Sequence, residues 1–207
     1  VWRRAIISPI QRVQRARRLL SILLLRCGDV HPHPGPQQGT PRADRSLLDV
    51  VVLGQDKTAM HWALLKNYLG IPEIHGSEFQ KTARQQVVDL GATLREERVE
   101  TVAEDDAGFT VTTEGGETLT GRHLILSEGK GPRLAKLLGL EPDAGGAIPV
   151  DRNGLSAIPR VYVVGRSVRP GRSQAIISAG DGAAAAIDIL SRNEGEPFAD
   201  WDSPPES

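Results

Sequence analysis

Between Tyr162 and Leu190 the chain reads YVVGRSVRPGRSQAIISAGDGAAAAIDIL: an apolar strand ending at Gly165, a loop carrying Arg166, Arg169 and Arg172, then a long alanine-rich helix. A helix that starts near Gln174 to Ile177 leaves its first backbone N–H groups unpaired and presents the positive end of its dipole. Such an end favours a ligand group that is negatively charged or rich in acceptors. Gly180 and Gly182 strip side chains from the early turns, which lets a flat ligand come close. The same glycines, with Ala183 to Ala186, equally permit tight packing of helix on sheet, and the residues alone leave both readings open.

Other chemistries lack a complete set of residues. Cys27 is the single cysteine, which excludes an intrachain disulfide, a CxxC redox pair and a cysteine-rich zinc site. His61, His75 and His123 are dispersed, and His31 with His33 offers a metal only two ligands on a proline-rich stretch. No serine lies in a G-x-S-x-G elbow, so a hydrolase triad has no anchor. Asp105 and Asp106 read as solvated charge in a turn. No side chain stands out as a general acid or base.

The elements that must hold Gly165 and Gln174 follow from the hydrophobic pattern. LLDVVVLG, from Leu47, is a continuous β-branched run ending at a glycine, as expected of a strand buried on both faces. Ser77 is the expected N-cap of a helix whose face is Phe79, Ala83, Val87 and Leu90, with Gly91 as its terminal glycine. ATLREERVETV reads as one strand, and FTVTTEGGETLTGRHLILSEG as a hairpin about Gly115-Gly116 leading into the apolar strand His123 to Leu126. A short helix around Leu134 to Leu138, a turn at Asn153-Gly154, the strand RVYVVG and the final helix complete the order. That order is the α/β pattern of a three-layer, Rossmann-like dinucleotide fold with a β-meander crossover.

The formal net charge of −1 hides an asymmetry. Residues 1 to 45 carry nine arginines against Asp29 and Asp44, a local +7, while the remainder holds sixteen basic and twenty-four acidic residues, a local −8. An arginine-rich arm suits a targeting peptide, a membrane surface or nucleic acid, and a solvated tail fits the same residues. The body has no basic patch interleaved with aromatics, so nucleic-acid binding is not expected of the main domain. Nor is a transmembrane segment expected, because the run Ile22 to Leu25, with Leu19 and Leu20 before it, is far too short. Pro32, Pro34, Pro36 and Pro41 then mark a linker. Within it GDVHPHPGP is similar to the ribosome-skipping peptides of viruses and mobile elements, with His33 where their asparagine stands and His31 where a glutamate is usual. The expected organisation is a poorly structured basic arm over 1–46, a FAD/NAD(P)-binding-type domain over 47–202 and a disordered tail over 203–207.

IPRVYVVG and SQAIISAGDGAAAAIDIL resemble the C-terminal flavin motif of thioredoxin-reductase-like FAD-dependent oxidoreductases. KNYLGIPEIHGSEFQKTARQQVVDLGATLREERVETV is similar to that family's asparagine turn, helix and adenine-side strand, and HLILSEG to a strand that usually ends in alanine-threonine-glycine. The tail FADWD is similar to small members of the group, and the resemblance spans roughly residues 47 to 202. It implies FAD as cofactor, NADPH or NADH as electron donor, and hydride transfer between the two. It places Gly165 beside the ribityl chain, Gln174 and Ala175 at the flavin edge, Asn67 in the turn facing it, Val99 near adenine and Gly129 at a close approach. Cytoplasmic location is the expectation; the electron acceptor is left unassigned, and a homodimer is the one assembly left open.

The departures are specific. Arg166 stands where an aspartate usually follows the strand-end glycine, and a guanidinium cannot accept a hydroxyl hydrogen bond. Ser173 replaces an arginine, and Glu128 replaces the threonine of the alanine-threonine-glycine motif. After DVVVLG comes QDKTAMHW, which has no further glycine, so this is read as the second strand of the fold, with Gly54 and Gln55 where a ribose-binding acid would stand. The first strand and glycine loop belong before Leu47, where residues 20 to 25 offer only a substitute central strand, and residues 1 to 45 read as a replacement for the expected N-terminus. Only some twenty residues separate Gly129 from Val150, where thioredoxin reductases carry an NADPH domain. The resemblance therefore carries no disulfide chemistry. The alternative reading is a degenerate or truncated flavoprotein fold without FAD, acting as a binding module or inactive.

Overall fold

The computed structural model describes residues 22–27, 48–54 and 57–198. The expected linker with its histidines, Gln55, and the tail from residue 199 onward lie outside the described residues. A central sheet takes β1 (Ile22–Cys27), β2 (Leu48–Leu53), β5 (Thr93–Arg95), β9 (His123–Leu126) and β10 (Val161–Val163), in the order β10-β9-β1-β2-β5. A second sheet is the meander β6 (Val99–Asp105), β7 (Gly108–Thr113) and β8 (Thr118–Gly121). A small ribbon pairs β3 (Leu64–Leu65) with β4 (Ile74–His75). The helices are α1 (Gly76–Asp89), α2 (Arg133–Leu137) and α3 (Ala175–Glu194).

The three-layer expectation holds, and the period of two along the strands explains it. Val51 and Leu53 of β2, Leu124 and Leu126 of β9, and Val161 and Val163 of β10 pack on one face with Phe109 and Val111 of the meander and Leu134 of α2. Val50, Val52, Ile125 and Tyr162 point to the other face, against Val87 of α1 and Ala185 and Ile189 of α3. The runs Val50–Leu53, Leu124–Leu126 and Val161–Val163 are therefore apolar because α1 and α3 cover one face and the meander with α2 the other.

α1 begins two residues earlier than expected. Its N-cap position is His75, with no side-chain cap, and Ser77 sits inside the first turn. Packing fixes this start, because a Cβ on Gly76 would lie 1.7 Å from Met60 O, so the chain must enter the helix at a glycine there. Gly91, at φ 84, ends the helix as expected. The stretch ATLREERVETV is two strands rather than one: β5 joins the central sheet and β6 the meander, with the charged residues Glu96, Glu97 and Arg98 at the corner between them.

The ordered fold also reaches back into the segment assigned to the arm. β1 fills the centre of the main sheet, antiparallel to both neighbours, with Ile22 opposite Leu53 and Leu126 and Cys27 opposite Leu48. The other pairs, β10 with β9 and β2 with β5, are parallel. An uninterrupted apolar run can complete two bare sheet edges whatever lies around it in sequence. Among the described residues no helix is long and apolar enough to cross a membrane.

Candidate functional site

The carboxyl ends of β9 and β10 carry the glycine turn. Val164 extends β10 by donating its N–H to Leu126 O at 2.9 Å, and the chain then bends at Gly165 into a single 3-10 turn, Gly165–Ser167. Gly165 has φ 72, and a Cβ there would stand 3.1 Å from Ser178 Oγ and 3.7 Å from Ser127 Oγ. Backbone conformation and neighbouring atoms both call for glycine. Its N–H donates to Asp181 Oδ2 at 3.2 Å, and Arg169 grips the same carboxylate through Nε and Nη2 at 3.0 to 3.2 Å. Asp181 therefore locks the turn to the second turn of α3.

Four further expected residues lie in the neighbouring loops: Gly129, Asn67, Gln174 and Arg166. Ser167 Oγ donates to Gly129 O at 3.1 Å, tying the loop after β9 to the turn after β10. Gly129, at φ 74, has no atom within 4 Å of an added Cβ, so the space over its backbone is open. Asn67 Nδ2 donates to Gln174 Oε1, joining the turn after β3 to the residue that precedes α3. Gln174 is the N-cap position of α3 and no side chain caps the helix, so the amides of Ala175, Ile176 and Ile177 are available at that end. Arg166 follows Gly165 directly; its Nε is buried and without a hydrogen-bond partner among the described residues.

The remaining expected positions are built differently. Gly54 donates its N–H to Arg95 O at 3.1 Å and simply continues the β2–β5 ladder. Val99 lies in the meander, where its carbonyl accepts from Arg133 Nη2 and the Glu100 carbonyl from Arg133 Nη1, both at 2.5 Å. A cavity of about 140 Å³, lined by Arg98, Glu100, Glu114 and Arg133, lies around the same guanidinium. Glu128 turns its carboxylate onto α2, accepting from Leu134 N–H at 2.6 Å and Ala135 N–H at 3.0 Å. Burial nevertheless pushes the Glu128 carboxyl upward, the two backbone donors and Arg133 only partly offsetting it.

Asp181, Ser127, Ser178 and Arg133 were not among the expected site residues. Asp181 carried a legible signal, since it is the one charge in the first half of an otherwise apolar and small-residue helix. Arg133 and the two serines carry none, because their partners come from elements remote in sequence. Among the described residues no group of three His, Cys, Asp or Glu converges to hold a metal.

A flavin can be tested against this geometry in two halves. The Gly165 turn, the open backbone of Gly129 and the Asn67–Gln174 junction fit the approach of a flat ring with a ribityl chain. An adenosine diphosphate half needs a central strand whose carboxyl end feeds a glycine turn and a helix N-terminus facing the pyrophosphate. Here the carboxyl end of β1, Cys27, lies at the opposite edge of the sheet from Gly165, and that half does not fit.

The model of the pyridine nucleotide-disulphide oxidoreductase family matches residues 64–182. Among solved structures, the chain is similar to a thioredoxin reductase from Gloeobacter violaceus, with TM-score 0.64 and 18% identity over 76% of this chain and 92% of that one. It is also similar to the atypical thioredoxin reductase TRi from Desulfovibrio vulgaris Hildenborough, with TM-score 0.65 and 17% identity over 74% and 93%. The thioredoxin reductase of T. acidophilum gives TM-score 0.61 and 15% identity over 71% and 91%. At these identities the likeness is one of fold. No curated protein sequence matches the chain. With more than half its length matched by the family and the three-layer arrangement in place, the chain belongs to the pyridine nucleotide-disulphide oxidoreductase family and has the thioredoxin-reductase-like FAD/NAD(P)-binding fold.

Proposed function

We propose that the chain is a small flavin-dependent oxidoreductase that passes a hydride between a nicotinamide cofactor and a bound flavin. The observation that carries this reading is the Asn67–Gln174 hydrogen bond, which brings residues 107 apart in sequence together at the uncapped N-terminus of α3. The flavin would supply the two-electron chemistry, and the protein binding, orientation and electrostatics. In this reading Gln174 and Asn67 orient the ring edge. Ala175 offers its amide to an acceptor there, with the helix dipole favouring negative charge. Gly129 leaves its backbone open to the ligand, and Asp181, held by Arg169, keeps the Gly165 turn in shape.

The test is the visible absorption spectrum of the purified chain after incubation with FAD or flavin mononucleotide and removal of free ligand. A bound flavin spectrum that bleaches anaerobically with NADPH or NADH is the expected result. A folded, colourless chain that ignores every flavin would overturn it and favour a second reading, a flavin-free binding module or inactive fold. The observation behind that second reading is the reversed central strand.

A further inference from the structure

The two halves of the flavin test disagree, and the disagreement has a chemical content. We infer that the site selects a flavin that ends at a single phosphate, flavin mononucleotide, over the dinucleotide FAD. This rests on the flavin reading above and narrows which flavin that reading concerns.

Among the described residues, the reversal of β1 leaves no turn at the carboxyl end of the central strand to face a second phosphate at this edge. Ile22, its first residue, lies at the edge shared with Leu53 and Leu126, so the strand enters from the site side and leaves at the other edge beside Leu48. The central slot, from which a phosphate-cradling turn must spring, is filled by a strand pointing the wrong way. The Leu134 and Ala135 amides point into the Glu128 carboxylate, which repels a phosphate.

What the described residues do supply next to the Gly165 turn is Arg166. Arg166 follows Gly165 in the chain, and its buried Nε has no hydrogen-bond partner among the described residues. Its neighbour Arg169 is committed to Asp181 at 3.0 Å. A buried guanidinium nitrogen left unpaired is costly, and a phosphate oxygen is its natural complement. The replacement of a hydroxyl-accepting aspartate by Arg166 thus exchanges recognition of a sugar hydroxyl for recognition of a phosphate.

Calorimetric titration of the full chain with riboflavin, flavin mononucleotide and FAD tests this directly. Flavin mononucleotide is expected to bind at least about tenfold more tightly than either of the others, the scale of one charge-assisted hydrogen bond. Arg166→Gln should lower that affinity to the level of riboflavin and leave riboflavin itself unchanged, with circular dichroism reporting the fold. If this variant does not fold, the ratio of mononucleotide to riboflavin in the unaltered chain still reads the phosphate contact. FAD binding as tightly as the mononucleotide would overturn the inference while leaving the flavin reading intact. Heat from no flavin at all would overturn both.

Discussion

The Tyr162 hydroxyl donates to Asp188 Oδ2 at 2.7 Å, fastening the middle of β10 to the far half of α3. Asp188 also accepts from Arg192 Nε at 2.6 Å and from Asn153 Nδ2 at 2.9 Å. Burial works against its charge, but these donors and the positive charge of Arg192 hold the carboxyl below its usual range, while burial and Asp188 together raise the Tyr162 phenol. The helix that carries Gln174 at one end is thus anchored to the sheet at the other.

Tyr162→Phe is expected to cost about 1 kcal/mol, because Asp188 keeps two donors, whereas Asp188→Ala strands the Tyr162 hydroxyl and should cost about 2–3 kcal/mol. Thermal denaturation of both variants checks the order; equal losses would contradict the network.

Burial, then Arg160 and Arg122, push the His123 imidazole down to about 4 from an ordinary value of 6.5. With the folded pKa below the unfolded one, the unfolded chain binds the extra proton. Stability is full above the unfolded value and falls as pH drops from there towards 4, by at most about 1.4 kcal/mol per pH unit. Urea unfolding of the native chain and of His123→Gln across that window should differ in slope, the variant being flatter.

Glu128→Thr restores the threonine that the family resemblance leads one to expect, yet it removes both acceptors from the start of α2 and should cost about 1–2 kcal/mol. Because burial raises the native carboxyl, its contribution is complete below the unfolded pKa and declines as pH rises through the folded one. The variant's deficit should therefore be larger at acid pH, as equilibrium unfolding at two pH values will read.

Gly165→Ala meets a positive φ and a contact with Ser178 Oγ at 3.1 Å. A loss of about 1–2 kcal/mol is expected. Ser178→Ala should recover only the part due to contact, so a complete rescue in the double variant would argue against backbone strain.

The sequence was most legible where side-chain period and turn chemistry coincide. The meander, α1, α3 and the turns at Gly91 and Gly154 all announce themselves through local pattern. So did the turn at Gly165 after the strand and the start of the helix at Gln174, which stand only nine residues apart. The direction of β1 was not legible: ILLLRC has no polarity that distinguishes a parallel from an antiparallel neighbour, and direction is set by which edges the rest of the sheet leaves bare. Glu128 was read as a charge beside a ligand because its partners are backbone amides, which a sequence does not display. The start of α1 was missed for a related reason. Ser77 is a good cap by type, but the fit of Gly76 against Met60 decides where the helix begins.

β1 also acts as a seam. By backbone hydrogen bonds the sheet consists of two parallel pairs, β10 with β9 and β2 with β5, and the strand between them is what joins one pair to the other. Drawing that strand out would unzip both ladders at once and uncover the inner edges of β2 and β9, two rows of unpaired amides and carbonyls on apolar strands. A chain cut between β1 and β2 would lose the covalent tether but not the pairing. Its tendency to aggregate would then measure how firmly an antiparallel strand is held in the middle of the sheet.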